Sequence, residues 1–217
     1  MDWYPLWLSL KVAGWATVFS VLLGLPLSLL LARVRLPGRA FWEGVANLPL
    51  VLPPTVLGYA LLVALGKRSA LGQFYEHLTG QSLVFTWQGA VVAACVASLP
   101  LFIGNARVAL STVDADVVGA ARTDGANGWA VLRHIVIPLA RSGLVAGTTL
   151  AFARALGDFG ATLMVAGDTP HQTQTMPLAI YDALQTDDLA LVRLFVLISV
   201  AICLTVCVLA ARLSSRP

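Results

Sequence analysis

Five stretches of this chain are apolar over lengths that soluble proteins rarely carry, and that feature limits the fold more than any other. They run approximately Leu6 to Leu31, Val45 to Leu65, Phe85 to Leu110, Leu139 to Val165 and Leu191 to Ala211. A helix rises about 1.5 Å per residue, so about 20 apolar residues cross a hydrocarbon core. Inside that core no water can satisfy a backbone N–H or C=O, and a helix pairs them locally. The expected fold class is an all-α polytopic membrane protein with five transmembrane helices. Composition agrees, with 58% hydrophobic and 12% charged residues, against about 25% charged in soluble domains.

An odd number of spans places the termini on opposite sides, and Lys and Arg accumulate on cytoplasmic loops. With the N-terminus outside, Arg33, Arg35, Arg39, Arg107, Arg122, Arg133, Arg141, Arg212 and Arg216 fall inside. Lys11, Lys67, Arg68 and Arg193 fall outside, and Arg154 lies within a span. The charge bias therefore predicts an outer N-terminus and a cytoplasmic C-terminus. Trp3, Trp7 and Trp87 then sit at the outer interface and Trp42 at the inner one, where aromatic belts form. The excess of 14 basic over 11 acidic residues is small and explained by the loops, so nucleic acid is not an expected partner.

Cys95, Cys203 and Cys207 lie in apolar runs and read as small hydrophobes, with no metal expected. Met1 is followed by Asp2 rather than a basic stretch, so no cleaved leader is expected. No repeat or Gly/Ser-rich linker divides the chain, which makes residues 1–217 one transmembrane domain. The larger outer loops run from Gly66 to Gln81 and from Gly167 to Asp188. In the second, Pro177 can start a short helix with Leu178, Tyr181 and Leu184 on one side. That helix either packs on the span ends or docks a partner.

One polar stretch, about residues 112–138, interrupts the apolar pattern on the cytoplasmic side. Thr112 or Asp114 can cap a helix there, Asp114 and Asp116 favour its positive end, and Val117, Ala120 and Ala121 supply a small apolar face. Gly125 and Gly128 break it. A second run from Trp129 to Val136 places Val131, Leu132 and Ile135 at helical spacing, and Pro138 ends it and opens the next span. Two short helices with a glycine joint form a protrusion that a soluble partner can grip.

The spacing Ala120-Ala121, three residues, Gly125, nine residues, Ile135, one residue, Ile137, Pro138 resembles the EAA motif of ABC importer permeases. Gly119 replaces the leading Glu of that motif and Ile137 replaces its Leu. NLPLVLPPTVLGYALLV (residues 47–63), AARTDG (120–125), FARALGDFGATLMVAG (152–167) and TQTMPLAIYDALQ are similar to the molybdate permease subgroup. The resemblance covers nearly the whole chain. It implies the type I importer permease fold, a homodimer in the inner membrane, two cytoplasmic ABC ATPase subunits, and a periplasmic or extracellular binding protein that delivers an oxyanion. ATP and Mg would be bound by the ATPase, with no cofactor in this chain. Ala120, Ala121, Arg122, Asp124, Gly125, Ile135 and Pro138 would then couple to the ATPase.

Two intramembrane features bear on the path. Pro49, Pro53 and Pro54 remove backbone donors from the second span, and Thr55 follows them; the bend either lines a path or is a packing kink. Arg154 and Asp158 are four residues apart and share a helical face on the fourth span. An isolated intramembrane charge costs about 2.5–3.5 kcal/mol on insertion scales, so the two either pin the helix or border the anion path. Paired glycines, Gly143 with Gly147 and Gly157 with Gly160, together with Gly104, permit close helix approach.

The chain contains no GxxxxGK[ST] phosphate loop, so ATP hydrolysis must come from a partner. His77, His134 and His171 fall in predicted loops, and neither GxSxG nor HExxH occurs, which argues against an intramembrane enzyme. Tungstate, sulfate and thiosulfate are alternative cargoes of the same fold. A self-contained secondary transporter is an alternative of another class, but such folds usually repeat their halves.

Overall fold

The computed structural model describes residues 2–33 and 38–214; Arg35 and Arg216, counted in the charge bias, lie outside them. Twelve α-helices and one π turn follow one another, with no strand among the described residues. Three helices are long and apolar enough to cross a membrane unaided: α1 (Tyr4–Arg33), α5 (Trp87–Ser111) and α12 (Leu189–Ser214). The other two expected spans are bent pairs, and counting each pair as one span gives five.

The second span is α2 (Arg39–Val51) followed by α3 (Pro54–Leu65), with 107° between their axes. Proline chemistry accounts for the break. A residue before proline is pushed out of the α region, and both Leu52 (ψ 141°) and Pro53 (ψ 136°) are extended. Pro54 then occupies the first turn of α3, where a missing N–H costs nothing.

The fourth expected span, Leu139 to Val165, is not one helix. Helix α9 (Arg141–Leu156) ends at Gly157, and α10 (Gly160–Ala166) starts after Asp158 and Phe159. Below α9, the run α7 (Gly128–Val131), π turn (Leu132–Val136) and α8 (Ile137–Leu139) joins it at Ala140 with a 73° bend. Pro138 therefore does not end its helix. Its ring would collide with a carbonyl four residues back, and the widened turn, in which Ile137 N–H donates to the Leu132 carbonyl, makes room.

Both of the larger loops expected on the outer side contain helices: α4 (Ala70–Thr79) and α11 (Met176–Gln185). His77 lies on α4 and His134 in the π turn, not in loops. On α11, Leu178 is buried while Tyr181 and Leu184 are exposed, so the expected single face divides. Leu178 has joined Met176, Ala179 and Ala183 against the span ends.

Helix α5 is the centre of the packing, flanked by α1 and α9. Small residues let the axes approach: Ala13 and Ala16 of α1 share a core with Ala90 and Ala94 of α5. Ser20 and Ser98 hydroxyls lie 3.1 Å apart across that seam. On the other side Gly143 abuts Ala109, and a Cβ on Gly147 would stand 3.1 Å from Asn105 Cβ. Gly104 faces open space and is no such contact.

Candidate functional site

Two places gather the residues singled out from the sequence. The first is the junction where both broken spans interrupt. A Cβ on Gly160 would lie 2.8 Å from Pro54 Cβ and 3.5 Å from Thr55 N, so α10 begins directly against the start of α3. One turn on, a Cβ on Gly58 would meet Met164 Cβ at 2.7 Å and Ala161 Cα at 3.0 Å. Pro53, Pro54 and Thr55 thus adjoin the break that carries Asp158.

Asp158 is not on the same regular helix as Arg154, contrary to the sequence expectation, because the helix has already ended at Leu156. The pair forms nonetheless: Arg154 Nη1 donates to Asp158 Oδ1 at 2.9 Å. The other carboxylate oxygen accepts from Thr162 N (2.9 Å) and Thr162 Oγ1 (2.7 Å). Asp158 is 2% exposed and Thr162 1%. The carboxylate therefore does two jobs, neutralising a guanidinium and supplying acceptors to the orphan donors of α10. The Arg154 side chain remains 27% exposed.

The second place is the polar segment. Asp114, not Thr112, caps α6 (Ala115–Thr123): its Oδ1 accepts from Asp116 N at 2.8 Å. Thr112 instead closes α5. At the far end Gly125 has φ 89°, Gly125 N donates to the Arg122 carbonyl (3.1 Å) and Ala126 N to the Ala121 carbonyl (3.0 Å). That pair of bonds is the Schellman motif, whose left-handed position favours glycine. Gly128 opens α7 rather than breaking a helix, and Asn127 Oδ1 caps it by accepting from Ala130 N at 2.8 Å.

The small apolar face divides. Val118 is buried and Ala121 packs with it against Leu110, Val131 and Val136, a cluster reaching Leu25 and Leu29 of α1. Val117, Ala120, Arg122, Asp124 and Gly125 point outward. Ile135 is half-buried and Pro138 exposed. Trp129, which the sequence reading does not place among the contact residues, is 67% exposed; a large aromatic in a polar stretch is the available signal. Together these residues make a rim anchored by its inner face, with Val117 and Trp129 as apolar points.

Comparison with known proteins bears on both places. Residues 24–216 match the family described as "Binding-protein-dependent transport system inner membrane component". The chain is 45% identical over 185 residues to the molybdenum transport system permease protein ModB of Escherichia coli K12, covering 85% of this chain and 81% of that one. It is 44% identical over 182 residues to the putative molybdenum transport system permease protein YvgM of Bacillus subtilis, covering 84% and 80%. Among solved structures, an inward-facing MetNI methionine ABC transporter chain aligns with TM-score 0.73 at 18% identity, over 97% of this chain and 93% of that one. A chain of a bacterial alginate importer aligns with TM-score 0.73 at 13% identity, over 97% and 78%. At those identities the structural likeness speaks for the fold, which is that of ABC importer permeases.

Proposed function

The chain belongs to the family of binding-protein-dependent transport system inner membrane components, and from that premise we propose that it is the permease subunit of a molybdate importer. The observation that carries the cargo is the 45% identity, over most of both chains, to a molybdenum transport permease. In this reading the chain works as a homodimer in the inner membrane, N-terminus out, above two ATPase subunits that bind ATP and Mg and perform the hydrolysis. An external binding protein releases the oxyanion to the outer side.

The geometry supports a mechanical route between the two places described. The rim of α6 and α7 meets the ATPase, with Ala120, Arg122, Asp124, Gly125 and Trp129 at the contact, while Ala121, Ile135 and Pro138 hold its shape. From there the chain runs without a loop through the π turn and α8 into α9. Helix α9 ends at the Arg154–Asp158 pair, and α10 rests on the start of α3. A tilt of the rim therefore moves the junction as a packed unit, since close-packed contacts switch between arrangements rather than stretch. Pro53, Pro54, Thr55, Arg154 and Asp158 border the path, where the part-exposed guanidinium of the Arg154–Asp158 pair offers hydrogen-bond donors to a passing anion.

The test is reconstitution with the ATPase and binding proteins loaded separately with molybdate, tungstate and sulfate. Molybdate-loaded protein should stimulate ATP hydrolysis most; stimulation by sulfate alone would replace the cargo while leaving the permease role. Hydrolysis indifferent to any binding protein would remove the importer reading.

A further inference from the structure

Along α1, Trp7, Lys11, Trp15 and Phe19 follow one another at four-residue spacing and so form one stripe. Trp15 and Phe19 rings stack at 5.9 Å. The stripe borders a groove of about 400 Å³ lined by Trp15, Phe19, Tyr75, Leu83, Trp87 and Val91. Lys11 stands one turn nearer the N-terminus, its Nζ 3.4 Å from the centroid of the Trp87 ring and 4.9 Å from that of Trp7. Ring faces attract a cation but do not neutralise it. Among the described residues no carboxylate is within ion-pair distance of Lys11: Glu76 pairs with Lys67 and Asp2 with His171.

We propose that this groove binds one anionic phospholipid, its acyl chain against the aromatic walls and its phosphate on Lys11. The dimensions agree. From Lys11 to Phe19 is a rise of about 12 Å along α1, close to the roughly 15 Å of one hydrocarbon leaflet. The surroundings agree as well, because α4, which contributes Tyr75, exposes Leu71, Phe74 and Leu78 on one side. A short amphipathic helix of that kind lies in the lipid interface. A second copy of the chain is a poorer occupant: a two-fold contact through this face would bring one Lys11 toward the other.

The inference rests on α1 and α5 crossing the membrane, and its failure is separable from that of the importer because transport is measured independently. The purified permease–ATPase complex is equilibrated with phosphatidylglycerol and phosphatidylcholine of identical chains, and retained lipid is counted by native mass spectrometry. One lysine at an anionic headgroup corresponds to about a fivefold preference for phosphatidylglycerol. Lys11→Gln should abolish the preference, whereas Lys11→Arg and the control Lys67→Gln should keep it. Equal retention of both lipids by the unchanged protein would overturn the proposal without any variant. So would an undiminished preference in Lys11→Gln, or efficient disulfide-linked dimers of Phe19→Cys in the membrane, which would seat a second copy in the groove.

Discussion

Arg154 and Asp158 form a 2.9 Å ion pair across the end of a helix, and the same carboxylate holds Thr162 by two further hydrogen bonds. Exchanging the two charges would restore a simple pair, but an arginine at position 158 has no acceptor for Thr162 N or Oγ1. We therefore expect Arg154→Asp/Asp158→Arg to remain defective in assembly. Asp158→Ala should destabilise the protein by about 3 kcal/mol, in the range for leaving one member of a buried pair uncompensated. Thermal unfolding in detergent checks both, and full recovery of stability in the exchange would show that the Thr162 bonds contribute nothing.

Gly160 and Gly58 are points of close approach between α10 and α3. Gly160→Val should cost about 1–3 kcal/mol by overpacking against Pro54, and Gly58→Val should act similarly through Met164. If the contact transmits motion, Gly160→Ala in an inserted, ATPase-bound complex should lower uptake more than it lowers melting temperature. Uptake that merely tracks stability would make the contact a packing detail.

The positive φ of Gly125 leads to a graded series at the rim. No atom lies within 4 Å of a Cβ at this position, so strain comes from the backbone alone, about 1–2 kcal/mol for a residue with a side chain. Gly125→Asn should be tolerated in the isolated permease and Gly125→Val should not. Gly125→Leu should leave a permease that inserts but loses ATPase coupling. Ala120→Trp is a cleaner probe of the partner than Ala121→Trp, because Ala121 packs inward and Ala120 outward. Co-purification and ATP hydrolysis should fall in Ala120→Trp without loss of permease stability.

Asp168, in the loop after α10, has its carboxyl held above the ordinary value by burial, with Gln174 opposing and Asp182 adding to the shift. Its Oδ1 has no hydrogen-bond partner. A carboxyl with a raised folded pKa binds its proton more tightly folded than unfolded, so stability is greatest at low pH and falls as pH climbs from the unfolded value through the folded one. Asp168→Asn should accordingly raise the melting temperature at pH 7, with the gain shrinking toward pH 4. A constant difference across that range would mean that ionisation of Asp168 is not the source.

Topology is tested separately. Reporter fusions after Gly38 and Gly125 should report the cytoplasm, and fusions near Gly72 and Gln172 the outside. A fusion at Gly125 reporting the outside would remove the rim from the ATPase.

Element existence was legible because its causes are local. Apolar length determined the spans of α1, α5 and α12, the Pro53-Pro54 pair determined the break before α3, and Gly125 determined the turn at the rim. Each follows from a few neighbouring residues acting on their own backbone. The faces and meetings were not legible in this way. Val118 and Ala121 turn inward while Val117 and Ala120 turn outward, and the five small residues from Val117 to Ala121 give no periodicity to decide between them. The break at Gly157 to Phe159 was hidden inside a continuous apolar stretch, because apolar composition measures fitness for the membrane and not continuity of a helix. Only the tertiary structure could place that break against Pro54, since the contact needs Gly160 to be small at a point where a helix a hundred residues earlier in the chain begins. Local propensity and burial length are properties of a segment; which segments touch depends on shapes that match across the fold.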